Sequence, residues 1–244
     1  VPSKFYTVLN DANDEWGLKT EFVESVFMAC NGAVYLTNKV FNPVAYISVT
    51  FPALINETMS VLYWGVEQLG FDVYLNSQNT YYSLFVPNNT SLLDYVDPCS
   101  YGKTSTQLFR FHYKPTAQTE REKVWASIWN YDTETGEVLD SIGEASYEQI
   151  TNRLEDILNS HIVIGNVENG NVFYQTKGGS MVKVDNASAG VGGMTVQGGY
   201  QIENNRSVKI VGIYDESYEG NGKTYIIEEE PIMTARKSVF DVLN

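Results

Sequence analysis

Histidine is almost missing from this chain, with two in 244 residues, and cysteine is as scarce, with Cys30 and Cys99 alone. No Cys-x-x-Cys or Cys/His cluster exists, which argues against a structural zinc site built from nitrogen and sulfur ligands. The lone cysteine pair leaves both a disulfide and two buried thiols open. Basic charge is short: 16 Lys and Arg face 30 Asp and Glu, for a formal net charge of −14. Such a surface repels phosphate backbones and anionic lipid, so nucleic acid is excluded as a partner. The acidic run Glu228-Glu229-Glu230 reads as a solvated strand end, since a hard cation needs ligands converging from several turns. No apolar stretch reaches the length of a membrane-spanning helix, and the chain is read as not membrane-spanning. The opening Val1-Pro2-Ser3 carries neither initiator Met nor signal peptide. Either a targeting segment has been removed or the chain is a fragment.

Hydrophobic residues make up 43% of the chain and charged residues only 19%, so it should bury a core. Seventeen tyrosines lean the reading towards strands. Short apolar runs at 4–10 and 18–28 are expected strands, and Asn31-Gly32 is a hairpin turn signal leading into Ala33–Leu36. Met59, Leu62, Tyr63, Val66 and Leu69 fall at helical spacing, with Asn56 or Thr58 as cap and Gly70 as stop. Tyr81–Val86 is an expected buried strand ended by Pro87, with a short helix at Leu92–Tyr95. Residues 107–113 and 124–131 fit helix and strand alike. Tyr147, Ile150, Leu154, Ile157 and Leu158 line one face of a helix capped by Ser146. A series of strands follows, from His161–Gly165 to Thr224–Glu228. Helices first and strands afterwards argue an α+β fold.

Shifting the chain by 190 residues superposes Asn31-Gly32 on Asn221-Gly222 and Tyr35 on Tyr225. Without a gap, the same shift aligns Ala45 with Ala235, Ser48 with Ser238 and Val49 with Val239. Six identities in the 24 positions from 31 to 54 exceed the one or two expected by chance, roughly, at average composition. The repeat predicts a fragment of an array. In it, residues 1–54 are the C-terminal part of a preceding unit with its linker, 55–235 one complete unit, and 236–244 the start of a following unit.

Four segments, in order, resemble the motifs of fasciclin-like domains. Phe85-Val86-Pro87-Asn88 is similar to the family's Phe-Ala-Pro-Thr, with Val for Ala and Asn for Thr. Leu154–Gly165 is similar to its helix followed by Tyr-His-Val, keeping His161 but with Ser160 in place of Tyr. Lys177–Val184 resembles a Gly-containing strand segment. Gly222–Ile227, with Tyr225, resembles the final strand, which Pro231 follows. The resemblance implies a β-sandwich or wedge of about seven strands with helices packed at one end, and an insertion at about 100–145. It also implies non-enzymatic cell-surface adhesion or extracellular scaffolding, with surface or matrix proteins or glycans as partners and no cofactor. The style resembles tandem-repeat surface proteins of gut Bacteroidetes. Localisation would then be extracellular or cell surface, with outer-membrane anchoring of the parent protein if bacterial.

No motif of a nucleophile elbow accompanies His161, so it is expected to be a hydrogen-bonded structural residue rather than a base. Gly-rich 189–199 lacks the Lys-Ser/Thr of a phosphate loop and is expected to be turns. Asn56, Asn88, Asn89, Asn186 and Asn205 head Asn-x-Ser/Thr sequons. Trp125, Trp129 and Tyr131 are the candidate ligand surface. If 124–131 is a strand, Trp125 and Trp129 share a face opposite Ile128; core is the simpler expectation for that face, and a sugar-stacking or protein-binding surface is the alternative. A glycan-binding module for polysaccharide capture is thus the second reading. A hydrolase, the third, would need two carboxylates beside a cleft. Cutting residues 1–50 from their own unit would leave strand edges open to strand-mediated self-association.

Overall fold

A hairpin opens the structure: β1 (Val23–Ala29) pairs antiparallel with β2 (Gly32–Thr37), Ala29 facing Gly32. The two connecting residues are therefore Cys30 and Asn31, one place earlier than the Asn-Gly signal predicts. Every residue of β1 after Val23 is exposed, including Phe27 and Met28. The computed structural model describes residues 23–38, 44–100, 106–170, 172–214 and 220–234. The strand expected at 4–10 lies outside them, as do Ala235, Ser238 and Val239 of the repeat.

Three short helices follow: α1 (Phe51–Ile55), α2 (Ser60–Gln68) and α3 (Phe71–Leu75). Gly70, in the left-handed region at φ 69°, separates α2 from α3 and supplies the predicted stop. Then come β3 (Tyr82–Pro87) and β4 (Tyr95–Val96), followed by the long antiparallel strands β5 (Thr106–Tyr113), β6 (Val124–Tyr131) and β7 (Val138–Glu144). α4 (Tyr147–His161) starts at Ser146 with a complete capping box to Gln149. Six further strands and one short helix complete the order: β8 (Ile162–Ile164), β9 (Phe173–Gln175), β10 (Met181–Asp185), β11 (Thr195–Gln197), α5 (Gly199–Glu203), β12 (Val208–Tyr214) and β13 (Gly222–Ile227).

The α+β expectation holds, and the main sheet has seven strands in the order β8-β3-β13-β12-β11-β10-β9. Its one parallel pair is β3 with β13, from Tyr82 opposite Gly222 to Pro87 opposite Ile227. The two end strands meet: Val163 bridges to Thr176, and the Lys177 amide donates to Ile162 O at 2.7 Å. The sheet is thereby curled on itself, which removes exposed edges and encloses a core. Phe85, Val163, Val182, Val184, Met194, Val196, Val208, Ile210 and Ile227 fill that core.

A second core lies between the helices and the four-stranded sheet β4-β5-β6-β7. Phe109, Phe111, Val124, Ala126 and Ile128 face Leu62, Val66, Ile150, Leu154 and Leu158 there. Both ambiguous segments are strands, because alternation supplies one buried face while a helix would need a wider apolar stripe. The segment 100–145, expected as an insertion, contributes most of this sheet and, through Leu108, Phe109, Phe111, Val124, Ala126 and Ile128, one wall of the second core.

Residues 48–54, placed by sequence with a preceding unit and its linker, are built into this unit. Ser48, Val49, Thr50 and Ala53 are buried, and the Val49 amide donates to Asn221 Oδ1 at 2.9 Å. Thr224 Oγ1 donates to Val49 O at 2.7 Å. An apolar helix-start with these partners belongs to the core it fills. His161 is the last residue of α4 rather than the first of a strand. Its predecessor Ser160 keeps the helix going by donating to Ile157 O at 2.9 Å.

Candidate functional site

Pairing of β5 with β6 sets Thr106 against Tyr131, Leu108 against Trp129, Arg110 against Ser127 and His112 against Trp125. Because strand side chains alternate, these eight share one face, and Phe109, Phe111, Val124, Ala126 and Ile128 the other. The second set is core throughout, while on the first face Leu108 is buried as well and Trp129 and Tyr131 are half-buried. The expectation that the Trp face is core is therefore corrected: Trp125 is 39% exposed, while Val124 and Ala126 are 1% and 0%. Small and β-branched residues fit against α4, the Trp125 indole is turned outward, and Trp129 is half-buried against the core.

On that outer face the aromatic and basic side chains order one another. The His112 ring stacks on Trp125 at 4.2 Å and 17° between planes. Arg110 Cζ lies 5.1 Å from the Trp129 ring centre, a cation–π contact, and Trp129 Nε1 donates to Ser127 Oγ at 2.9 Å. Burial, and then the Arg110 charge, push the His112 imidazole below its usual pKa, so it is neutral at physiological pH. Trp125, Trp129 and Tyr131 lie along one strand over six residues, or about 20 Å at strand rise. The partnership of Arg110 and His112 with them was not legible in sequence, because it depends on the β5–β6 register.

A cavity lies at each end of this row. The first, about 400 Å³, is lined by Trp125, Tyr147, Lys114, Arg121, Glu122 and Glu144 over Val124, Ala145 and Ile150. The second, about 240 Å³, is lined by Tyr131, Leu108, Val96 and Val138 with Asp94, Arg206, Glu229 and Glu230. In it Arg206 Nη2 sits 3.0 Å from Glu230 Oε2, and Glu230, only 6% exposed, has its carboxyl pushed up by burial. The triplet Glu228–Glu230 is thus not wholly a solvated strand end: its last member is buried against a guanidinium and Gln201. Glu122 and Glu144 flank the first cavity but are both exposed, whereas an acid catalyst is kept protonated by burial.

His161 is sealed from solvent. Its Nδ1–H donates to Ile157 O at 2.6 Å, and Nε2 accepts the Ile232 amide at 2.9 Å. Burial lowers its pKa to about 4, so the ring is neutral and holds the segment after β13 in place. Ser160 Oγ lies 3.0 Å from Nδ1, but both side chains are buried, at 5% and 0% exposure, and no substrate reaches them. The same segment is held by Gln201, whose amide donates to Pro231 O and accepts from the Met233 and Gly198 amides. A Cβ on Gly198 would stand 2.0 Å from Met233 O, so only glycine admits this approach.

The other motif residues are structural as well. Phe85 stacks on Tyr225 at 5.1 Å inside the curled sheet, and Val86 is fully buried. Pro87 ends β3 opposite Ile227. Asn88 Oδ1 accepts the Ser91 amide and Asn89 Oδ1 the Val61 amide, so both sequon residues serve as caps. Cys30 and Cys99 lie exposed as thiols, Cys99 Sγ 3.9 Å from Asp156 Oδ2. Among the described residues no three His, Cys, Asp or Glu side chains converge to hold a metal ion. Among the same residues, no helix is long and apolar enough to cross a membrane.

No family model matches the chain, and no curated protein does. Among solved structures it is similar to a FAS1 domain pair from the insect cell adhesion molecule fasciclin I. The identity is 15% and the TM-score 0.42, over 85% of this chain and 57% of that one. The chain thus spans little more than half of the structure it matches.

Proposed function

We propose that this chain is a non-enzymatic adhesion or scaffolding module acting at the cell surface or outside the cell through protein or glycan contacts. The observation that carries the reading is the outward face of β5 and β6. A domain gains nothing from turning the Trp125 indole to solvent beside a half-buried Trp129, whereas recognition surfaces are built from rigid aromatic and arginine side chains. The motifs with His161, Pro87 and Gly222 support the same reading by their resemblance to fasciclin-like domains. Their structural placement fits a family likeness in framework rather than in catalysis.

The unit is one of an array in this proposal. β2 and β13 have the same bounds once shifted by 190 residues. Residues up to about 38 would close a preceding unit, and the complete unit would run from about residue 44 rather than 55. Modules so arranged bind weakly one at a time and firmly together.

The test is binding of the purified chain to an immobilised panel of matrix proteins and glycans, beside a variant carrying Trp125→Ala and Trp129→Ala. Saturable binding lost in the variant, with unchanged melting, is the expected outcome. Binding that survives both substitutions would remove the sheet face from the proposal.

A further inference from the structure

Resting on the sheet face as a contact surface, we propose that the cavity beside Trp125 is a subsite for one neutral sugar unit of a glycan. At about 400 Å³ it falls in the lower range of ligand pockets. Its floor is apolar (Val124, Ala145, Ile150), and its walls carry two aromatic rings, Trp125 and Tyr147. A pyranose presents an apolar C–H face, which stacks on such a ring, and a rim of hydroxyls that both donate and accept.

The rim of the cavity answers those hydroxyls with both kinds of partner. Lys114 and Arg121 only donate, and Glu122 and Glu144 only accept. Two positive and two negative groups cancel, so the cavity selects neither an anionic nor a cationic ligand by charge. A uronic acid would meet the two glutamates, and an amino sugar the two cations. The cavity at the Tyr131 end differs: three carboxylates line it against one guanidinium, and Arg206 and Glu230 already satisfy each other.

Both aromatic walls are already fixed before a ligand arrives. Trp125 is stacked on one side by His112, and Tyr147 is held edge-on by Trp64 at 6.2 Å with Arg121 Cζ 4.7 Å from its ring centre. Little side-chain entropy is then lost on binding. The cavity is an open groove rather than a closed pocket, so an internal sugar of a chain can lie in it as well as a terminal one.

The test titrates the purified chain with cellohexaose, mannohexaose and galactohexaose, and with oligogalacturonate and chitosan oligomers as charged counterparts. At least one neutral hexamer should bind saturably and perturb indole fluorescence. Raising salt from about 50 to about 500 mM should leave that binding unchanged, since no net charge is matched. Trp125→Ala should weaken it by about ten-fold or more, and Trp125→Phe by less. Melting curves verify that each variant is folded; Glu144→Gln, on the exposed rim, tests the site without touching an aromatic.

Binding of charged oligomers alone, or neutral binding indifferent to both Trp125→Ala and Glu144→Gln, would overturn the assignment. If no neutral hexamer binds while a matrix protein still binds through Trp129, the sugar subsite falls and the adhesion reading stands. If neither ligand class binds, both fall.

Discussion

β2 and β13 are the same length, follow the same Asn-Gly pair and carry tyrosine at the same place, yet one is exposed and the other buried. In β13, Gly222 and Thr224–Ile227 are all buried; in β2, Gly32, Val34 and Leu36 are exposed. The difference lies in the neighbours. β13 is flanked by β3 and β12, and Asn221 beside it is buried; among the described residues β2 pairs with β1, and Asn31 is exposed. A strand sequence thus specifies a burial that only a surrounding sheet can deliver. Three residue identities shared by the two strands, Gly, Tyr and Asn, let the comparison be tested pair by pair.

The largest difference should come from the glycines. Gly222 has φ 151°, and a Cβ there would lie 1.9 Å from Tyr82 O, at the start of the parallel β3–β13 pairing. Backbone at that distance cannot yield as a flexible side chain could. Gly222→Ala should destabilise by more than about 4 kcal/mol or prevent folding, placing it in the exceptional tail of point mutations. Nothing lies within 4 Å of a Cβ on Gly32, so Gly32→Ala should stay within about 0.5 kcal/mol. Equal losses in urea unfolding would break the comparison. Next, Tyr225→Ala removes a buried ring from its stack on Phe85 and should cost about 4 kcal/mol. Tyr35→Ala, in the exposed hairpin, should cost under about 1 kcal/mol by the same measurement.

The asparagines come third. Asn221 Oδ1 accepts the Val49 amide, and Nδ2 donates to Leu75 O at 2.6 Å and to Ser77 O at 3.0 Å. One side chain therefore ties the start of α1, the end of α3 and the entry to β13. Asn221→Ala leaves these buried backbone groups without a partner and should cost about 3 to 4 kcal/mol. Asn31→Ala should fall within about 0.5 kcal/mol. If both variants melt alike, Asn221 is an ordinary turn residue and the contrast between the strands is one of packing alone.

Asn221 also shows where sequence reading stops. Its position before Gly222 marks it as a turn, and nothing in its neighbourhood tells that its side chain reaches residue 49. Local features were legible: the helix face through Leu154 and Leu158, the Ser146 cap, the Gly70 stop and the buried strand before Pro87. These depend on periodicity and on neighbours three or four residues away. The Trp125 and Trp129 face was misjudged as core because alternation identifies two faces without saying which is inside. Arg110 and His112 escaped for a related reason, since they meet the indoles only through the pairing register of two strands. The first cavity joins side chains spread from Lys114 to Ile150, and no spacing rule links them. The packing of Val49 was not legible either, because its contacts run 172 and 175 residues forward in the chain.

The smallest of the four effects depends on pH and bears on the segment after β13. His161 has its pKa lowered from 6.5 to about 4 by burial, so the unfolded chain takes up a proton that the folded one refuses. The stability held by the neutral ring is complete above about pH 6.5 and is lost progressively as pH falls towards 4, by about 3 kcal/mol in all. Glu230 and Asp156 act in the opposite sense: burial raises both, so their protonation favours the folded state as pH falls. The difference between the wild type and His161→Gln, measured by urea unfolding at pH 7, 5.5 and 4.5, separates the histidine from the carboxylates. The variant should lose the acid-dependent part and keep the rest. Hydrogen exchange gives the comparison its local form: acid slows intrinsic exchange everywhere, as β1 and β2 should show, but the protection of the Ile232 amide, which His161 Nε2 accepts, should fall once that slowing is divided out. A pH slope that persists unchanged in His161→Gln would show that this segment is held by Gln201 and packing instead.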